Sequence, residues 1–210
     1  MKWLPDPQGD LDLMQALGTH LEQHYGSVVQ VWHEEESHIV HLDAHQIEPF
    51  EGVPQVIFTT GMSSKAMNVG EDYEDSPYVE LLLYLEPDWD LSEEGGDWPI
   101  HVLLDIARYP HLCETCVDSY HTIDSGSPFR GSEYTSVLLL DAIFLPEEDR
   151  QFRHPDGREI RLLMVGMLYP EEVAYARDHG TSELFDRLTE GGVLPFDLFV
   201  LQRERARPLR

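Results

Sequence analysis

The sequence predicts an α+β fold, a mixed and largely antiparallel sheet with helices packed on it. Three observations predict it. Short β-branched or apolar runs recur along the chain, amphipathic helical stretches are interspersed among them, and neither an internal repeat nor a flexible linker divides the 210 residues. A single domain over residues 1–202 is therefore expected, followed by a basic tail, 203–210, expected to be flexible.

Leu11, Met14, Leu17, Leu21 and Tyr25 recur at helical spacing, and Gly26 supplies a stop. "SVVQVWHEE" is β-branched and reads as a strand, and the charged turn at Glu34–Glu36 leads into "SHIVHLDAHQIEP". That stretch alternates, with Ile39, His41, Asp43, His45 and Ile47 on one face, so a strand from His38 to Ile47 is predicted. "PQVIFTTGM" and "YVELLLYLEP" follow as strands, the second apolar enough to be buried on both faces. Pro99 suits the first position of a helix whose apolar face is Ile100, Leu103, Leu104 and Ala107, and Pro110 is expected to end it. "YTSVLLLDAIFLP" reads as one long strand. Pro155-Asp156-Gly157 marks the turn of a hairpin, with glycine at the position that needs a positive φ. Pro170 opens a helix that Gly180 closes. A second helix, capped by Thr181 or Ser182, runs to Gly191-Gly192, and "PFDLFVLQ" reads as a last strand.

The net charge of −26 is the strongest bulk property. It argues against nucleic acid and anionic membranes as partners, because phosphate recognition needs a basic patch. It favours solubility, a basic protein partner or halophilic adaptation. Lys2 and Lys65 are the only lysines, an arginine bias of the kind GC-rich coding produces. No apolar run is long enough for a transmembrane helix, and "MKWLPDPQGD" lacks the apolar core of a signal peptide. With only Cys113 and Cys116 there is no disulfide framework, and a cytoplasmic location is expected.

Motifs for chemistry are incomplete. On a helix, His41 and His45 would have zinc-binding spacing, but the alternation places them on a strand, where His41, Asp43 and His45 share a face. A metal-dependent enzyme on those three is the minor alternative; hydrogen bonding to neighbouring strands is the favoured role. Cys113-x-x-Cys116, beside His111 and His121, is half of a zinc signature. "DWDLSEEGG" fails the calcium-loop template, with Glu93 at its sixth position and Pro99 at its twelfth. No nucleophile elbow and no phosphate-binding glycine loop occurs. Neither catalytic residues nor a metal or cofactor is expected.

Several segments, in order, carry a resemblance: His41-x-Asp43, the Thr60-Gly61-Met62-Ser63 turn, Trp98-Pro99 leading to Ala107-Arg108-Tyr109, and the Tyr169-Pro170-Glu171-Glu172 helix start. From about Ser37 to about Leu188 the chain resembles the suppressor of fused family, in its bacterial single-domain form, and its fold is similar to the N-terminal domain of the eukaryotic members. The resemblance implies binding rather than catalysis. Eukaryotic members grip an extended segment of Gli transcription factors between two domains, and the resemblance implies for the bacterial single-domain relatives either immunity against polymorphic toxins or binding of another protein partner. It also implies a partner contact at Tyr109. At the acidic position that precedes a histidine in the family groove this chain has Tyr120 before His121, which departs from the pattern. Tyr109, Tyr120 and His121, with Asp88 and Asp90 of the acidic loop, are the candidate partner contacts. The expected function is an immunity protein that neutralises a basic toxin such as a nuclease, with regulation of an endogenous protein as the alternative.

Overall fold

A computed structural model describes residues 9–34, 39–48, 53–71 and 73–210. Helix α1, Leu11–Tyr25, starts where the Asp10 side chain accepts a hydrogen bond from the Leu13 amide at 3.0 Å. It stops at Gly26, whose φ of 117° and whose approach to the Glu48 carbonyl leave no room for a Cβ. Strands β1 (Val28–His33), β2 (Asp43–Ile47), β3 (Gln55–Thr60) and β4 (Val79–Leu85) form an antiparallel meander.

Helix α2 (Trp98–Leu112) then crosses the sheet, and β5 (Thr122–Asp124), β6 (Ser136–Asp141), β7 (Gln151–Arg153) and β8 (Glu159–Leu168) follow. Helices α3 (Pro170–His179), α4 (Thr181–Glu190) and α5 (Pro195–Phe199) lead to the two-residue strand β9, Val200–Leu201. The strand order is β1-β2-β3-β4-β8-β6-β5. One edge of β4 is shared: β8 runs parallel to its first half and β9 to its last two residues. All other pairs are antiparallel, as the mixed sheet required.

Alternation in the central strands separates two cores. Leu82 and Tyr84 of β4 pack with Leu13, Leu17 and Leu21 of α1 and with Leu184 and Leu188 of α4. Leu81, Leu83 and Leu85 face Leu103, Ile106 and Ala107 of α2. Every residue of β4 is buried, as a strand sandwiched between helical layers must be.

Five local expectations are corrected. The strand expected from His38 begins at Asp43, because the Leu42 amide bonds to the Glu34 carboxylate instead of a ladder partner; His38 lies outside the described residues. Helix α2 runs past Pro110 to Leu112, so the proline sits in the last turn. The strand expected over 134–146 ends at Asp141, where Ala142 to Leu145 form a tight turn. Thr181 is the first residue of α4, and Gly180 is its cap. The run read as a last strand is mostly α5: Pro195 opens the helix and Asp197 accepts from the Leu194 amide at 2.9 Å.

The tail is docked rather than free. Arg205 is buried in a bidentate pair with fully buried Glu172, its Nη1 at 2.7 Å from Oε1, and Arg207 pairs with Glu171 at 2.8 Å. The Tyr169 ring lies under both guanidinium groups, at 4.9 and 4.0 Å.

Candidate functional site

β5 is the outermost strand on one side of the sheet, paired with β6 alone among the described residues. The chain enters it through a bend. The Tyr120 amide donates to the Leu139 carbonyl at 2.7 Å, and the Leu139 amide donates to the His121 carbonyl at 2.9 Å. Two residues thus oppose one, which is the count of a β-bulge. Tyr120 occupies the left-handed region at φ 67°, uncommon for a large side chain. Its carbonyl accepts from the Thr181 hydroxyl at 3.1 Å, and its ring meets Phe185 edge-on with centroids 6.0 Å apart. Tyr120 remains 54% exposed, with exposed His121 beside it. The bulge therefore presents an aromatic ring at the head of an unpaired sheet edge.

Behind the bulge, Arg161 of β8 is buried and anchors the incoming segment. It lies 2.7 Å from Asp118 and 3.0 Å from Asp141, and the Tyr73 hydroxyl donates to Asp118 at 2.9 Å. Burial works against the Arg161 charge, but the bonds from Asp141 and Asp118 outweigh it and raise the guanidinium pKa.

The other candidate contacts lie elsewhere. Tyr109 is half-buried on α2 against the core of that face. Asp88 and Asp90 are exposed in the loop after β4; Asp90 lines a groove with Val29, Gln30 and Trp32 of β1, on the far side of the sheet from β5. Tyr120 and His121 stand together, and Asp88 and Asp90 are not brought to them.

The histidine stretch divides. His45 is buried, donates or accepts at 2.8 Å with the Thr60 hydroxyl, and stacks on Phe58 with centroids 4.7 Å apart. Burial lowers its pKa to about 4, so the ring is neutral at physiological pH. It does not join His41 and Asp43, which corrects the triad that the strand spacing allowed. His33 of β1 takes its place, with Nδ1 2.8 Å and His41 Nε2 3.2 Å from Asp43 Oδ1. The sequence missed His33 because it reaches Asp43 only through the β1–β2 register.

The Thr60-Gly61-Met62-Ser63 turn is organised by another group the sequence left aside. Glu80, 0% exposed, accepts from the Thr59 hydroxyl, the Gly61 amide, and both the amide and hydroxyl of Ser63. Its signal was the lone acid inside "YVELLLYL". Burial pushes its pKa up to about 7 against those four bonds. From the other side, buried His111 bonds the Met62 carbonyl at 2.9 Å, and burial lowers its pKa. That ring is committed to the turn, while Cys113 and Cys116 are free thiols, one exposed and one half-buried.

The profile of the suppressor of fused protein family matches residues 39–204, well over half of the chain. The chain belongs to the suppressor of fused family. An uncharacterised protein of Ureaplasma parvum is 24% identical over 136 residues, 63% of this chain and 66% of that relative, so the chain spans about two thirds of its length. Among solved structures, the Sufu–Fu complex contains a chain that superposes with a TM-score of 0.62 at 13% identity, covering 96% of this chain and 92% of that one. Drosophila Suppressor of Fused superposes with a TM-score of 0.60 at 14% identity, covering 98% of this chain and 53% of that one. The suppressor of fused domain thus supplies this α+β architecture. Its turn at 60–63 is a position where buried polar groups, Glu80 and His111, hold the backbone. No helix among the described residues is long and apolar enough to cross a membrane.

Proposed function

We propose that this suppressor of fused domain is a non-enzymatic protein-binding module of the bacterial cytoplasm. Its partner is a basic toxin domain, which it neutralises as an immunity protein. The observation that carries this reading is the outer edge of β5, which pairs with no strand among the described residues, headed by exposed Tyr120 on a chain of net charge −26. An extended segment of a partner can add to such an edge through main-chain hydrogen bonds, with the aromatic ring as anchor. The net charge of −26 attracts a cationic partner to the chain as a whole and competes with its nucleic-acid substrate. The solved Sufu–Fu complex supports a protein as the ligand class for this fold.

The test is to mix the purified chain with a candidate basic toxin, the product of the gene immediately upstream. Equimolar protein is expected to abolish toxicity, with association that slows as salt is raised. Undiminished toxicity in the presence of excess chain overturns the reading.

A further inference from the structure

We propose that His33, His41 and Asp43 form a binding site for a first-row divalent transition metal, with Zn2+, Co2+ or Ni2+ as the occupant class. The three ligand atoms, His33 Nδ1, His41 Nε2 and Asp43 Oδ1, lie within 4.8 Å of one another. The two separations from the carboxylate oxygen are 2.8 and 3.2 Å. Bonds of about 2.0–2.1 Å place adjacent ligand atoms about 3.3–3.4 Å apart in a tetrahedron and about 2.9 Å apart in an octahedron. The two carboxylate–imidazole sides therefore need shifts of about half an ångström or less to close on an ion, and the two nitrogens already lie within 4.8 Å of each other.

The backbone holds these groups in place. His33 and Asp43 are register partners in the β1–β2 ladder, and His41 precedes Asp43 by two residues on the same chain segment. On the covered side, a Cβ on Gly9 would stand 3.2 Å from both Asp43 Oδ2 and His41 Cδ2, so the backbone packs directly on the site. On the other side the His33 side chain is 62% exposed. Water, or a partner's side chain, can complete the coordination there.

Charge supplies the second argument. The Asp43 side chain is 2% exposed, and its charge-bearing neighbours among the described residues are the two imidazoles rather than an arginine or lysine. A divalent ion bound through the same three atoms sets two positive charges against that buried carboxylate. Two nitrogens and one carboxylate suit borderline metals; calcium and magnesium prefer all-oxygen sets, and copper(I) prefers sulfur.

The untagged full chain, stripped with a chelator and dialysed, is titrated with Co2+ and with Zn2+, read by visible absorption, calorimetry and thermal unfolding. One ion per chain is expected, with cobalt d–d bands, a raised unfolding temperature and no response to Mg2+. His33→Ala, at an exposed position, is expected to weaken binding by at least about tenfold, as loss of groups in a metal site does. Asp43→Asn is expected to do the same, and Cys113→Ser with Cys116→Ser to leave binding unchanged. Absence of binding overturns the site, as does equal affinity in His33→Ala or loss of affinity in the cysteine variant.

Discussion

Glu80 and Ser63 are joined twice: one carboxylate oxygen accepts from the Ser63 amide at 2.9 Å and from its hydroxyl at 2.6 Å. The turn after β3 thus hangs on a carboxyl group in the middle of an otherwise apolar strand. The folded-state pKa of Glu80, about 7, stands above its ordinary 4.5, so the folded protein holds an extra proton between those values. Its contribution to stability is full below pH 4.5 and is lost as pH rises toward 7, by about 3 kcal/mol at most. Denaturant unfolding of wild type and Glu80→Gln at pH 5 and pH 7.5 checks this. The wild type is expected to lose more stability over that interval, and parallel curves would refute it.

Gly61 combines a φ of 105° with a backbone so close that an added Cβ would lie 1.8 Å from the His41 carbonyl oxygen. Gly61→Ala is expected to destabilise by more than about 3 kcal/mol or to prevent folding, since strain and overlap act together. Gly157→Ala in the exposed hairpin turn has the same sign of φ with open space around it, and about 1 kcal/mol is expected. Urea unfolding of both variants, with equal losses, would contradict the steric argument.

The docked tail predicts an asymmetry between two arginines. Arg205→Ala leaves the fully buried Glu172 carboxylate unpaired and is expected to cost about 3–5 kcal/mol. Arg207 pairs with partly exposed Glu171, and its removal is expected to cost about 1 kcal/mol or less. Chemical denaturation measures both; a silent Arg205→Ala would mean that the tail is free in solution.

Tyr120 is exposed, so Tyr120→Ala is expected to leave stability within about 1 kcal/mol. At the same time it should weaken capture of a basic partner at the β5 edge by at least about tenfold. Asp88→Asn with Asp90→Asn, on the far side of the sheet, should change mainly the salt dependence of association. Surface plasmon resonance with the neutralised toxin separates the two effects. Equal losses from both variants would place the contact elsewhere.

Elements with local signals were legible in the sequence. The α1 periodicity ending at Gly26, the doubly buried run of β4 and the Pro155-Asp156-Gly157 hairpin are all present as read. Apolar composition misled where a short segment could serve either as strand or as buried turn and helix. Both "DAIFLP" and "PFDLFV" are of this kind, and packing against the sheet decided them. Pro110 was read as a terminator, yet α2 continues two residues beyond it to Leu112, although a proline there cannot give the Ile106 carbonyl its helical amide donor.

The candidate sites divide along the same line. Residue order alone determined that Tyr120 and His121 adjoin, that His41 and Asp43 point the same way, and that the ordered motifs belong to a suppressor of fused domain. Which histidine completes the cluster was decided by the register of β1 on β2: it brings His33 to Asp43, while the β2–β3 pairing gives His45 to Thr60 and Phe58. A strand's own alternation specifies which face each side chain takes. It says nothing about which residue of the neighbouring strand stands opposite, because that pairing is settled by long-range packing of the whole sheet.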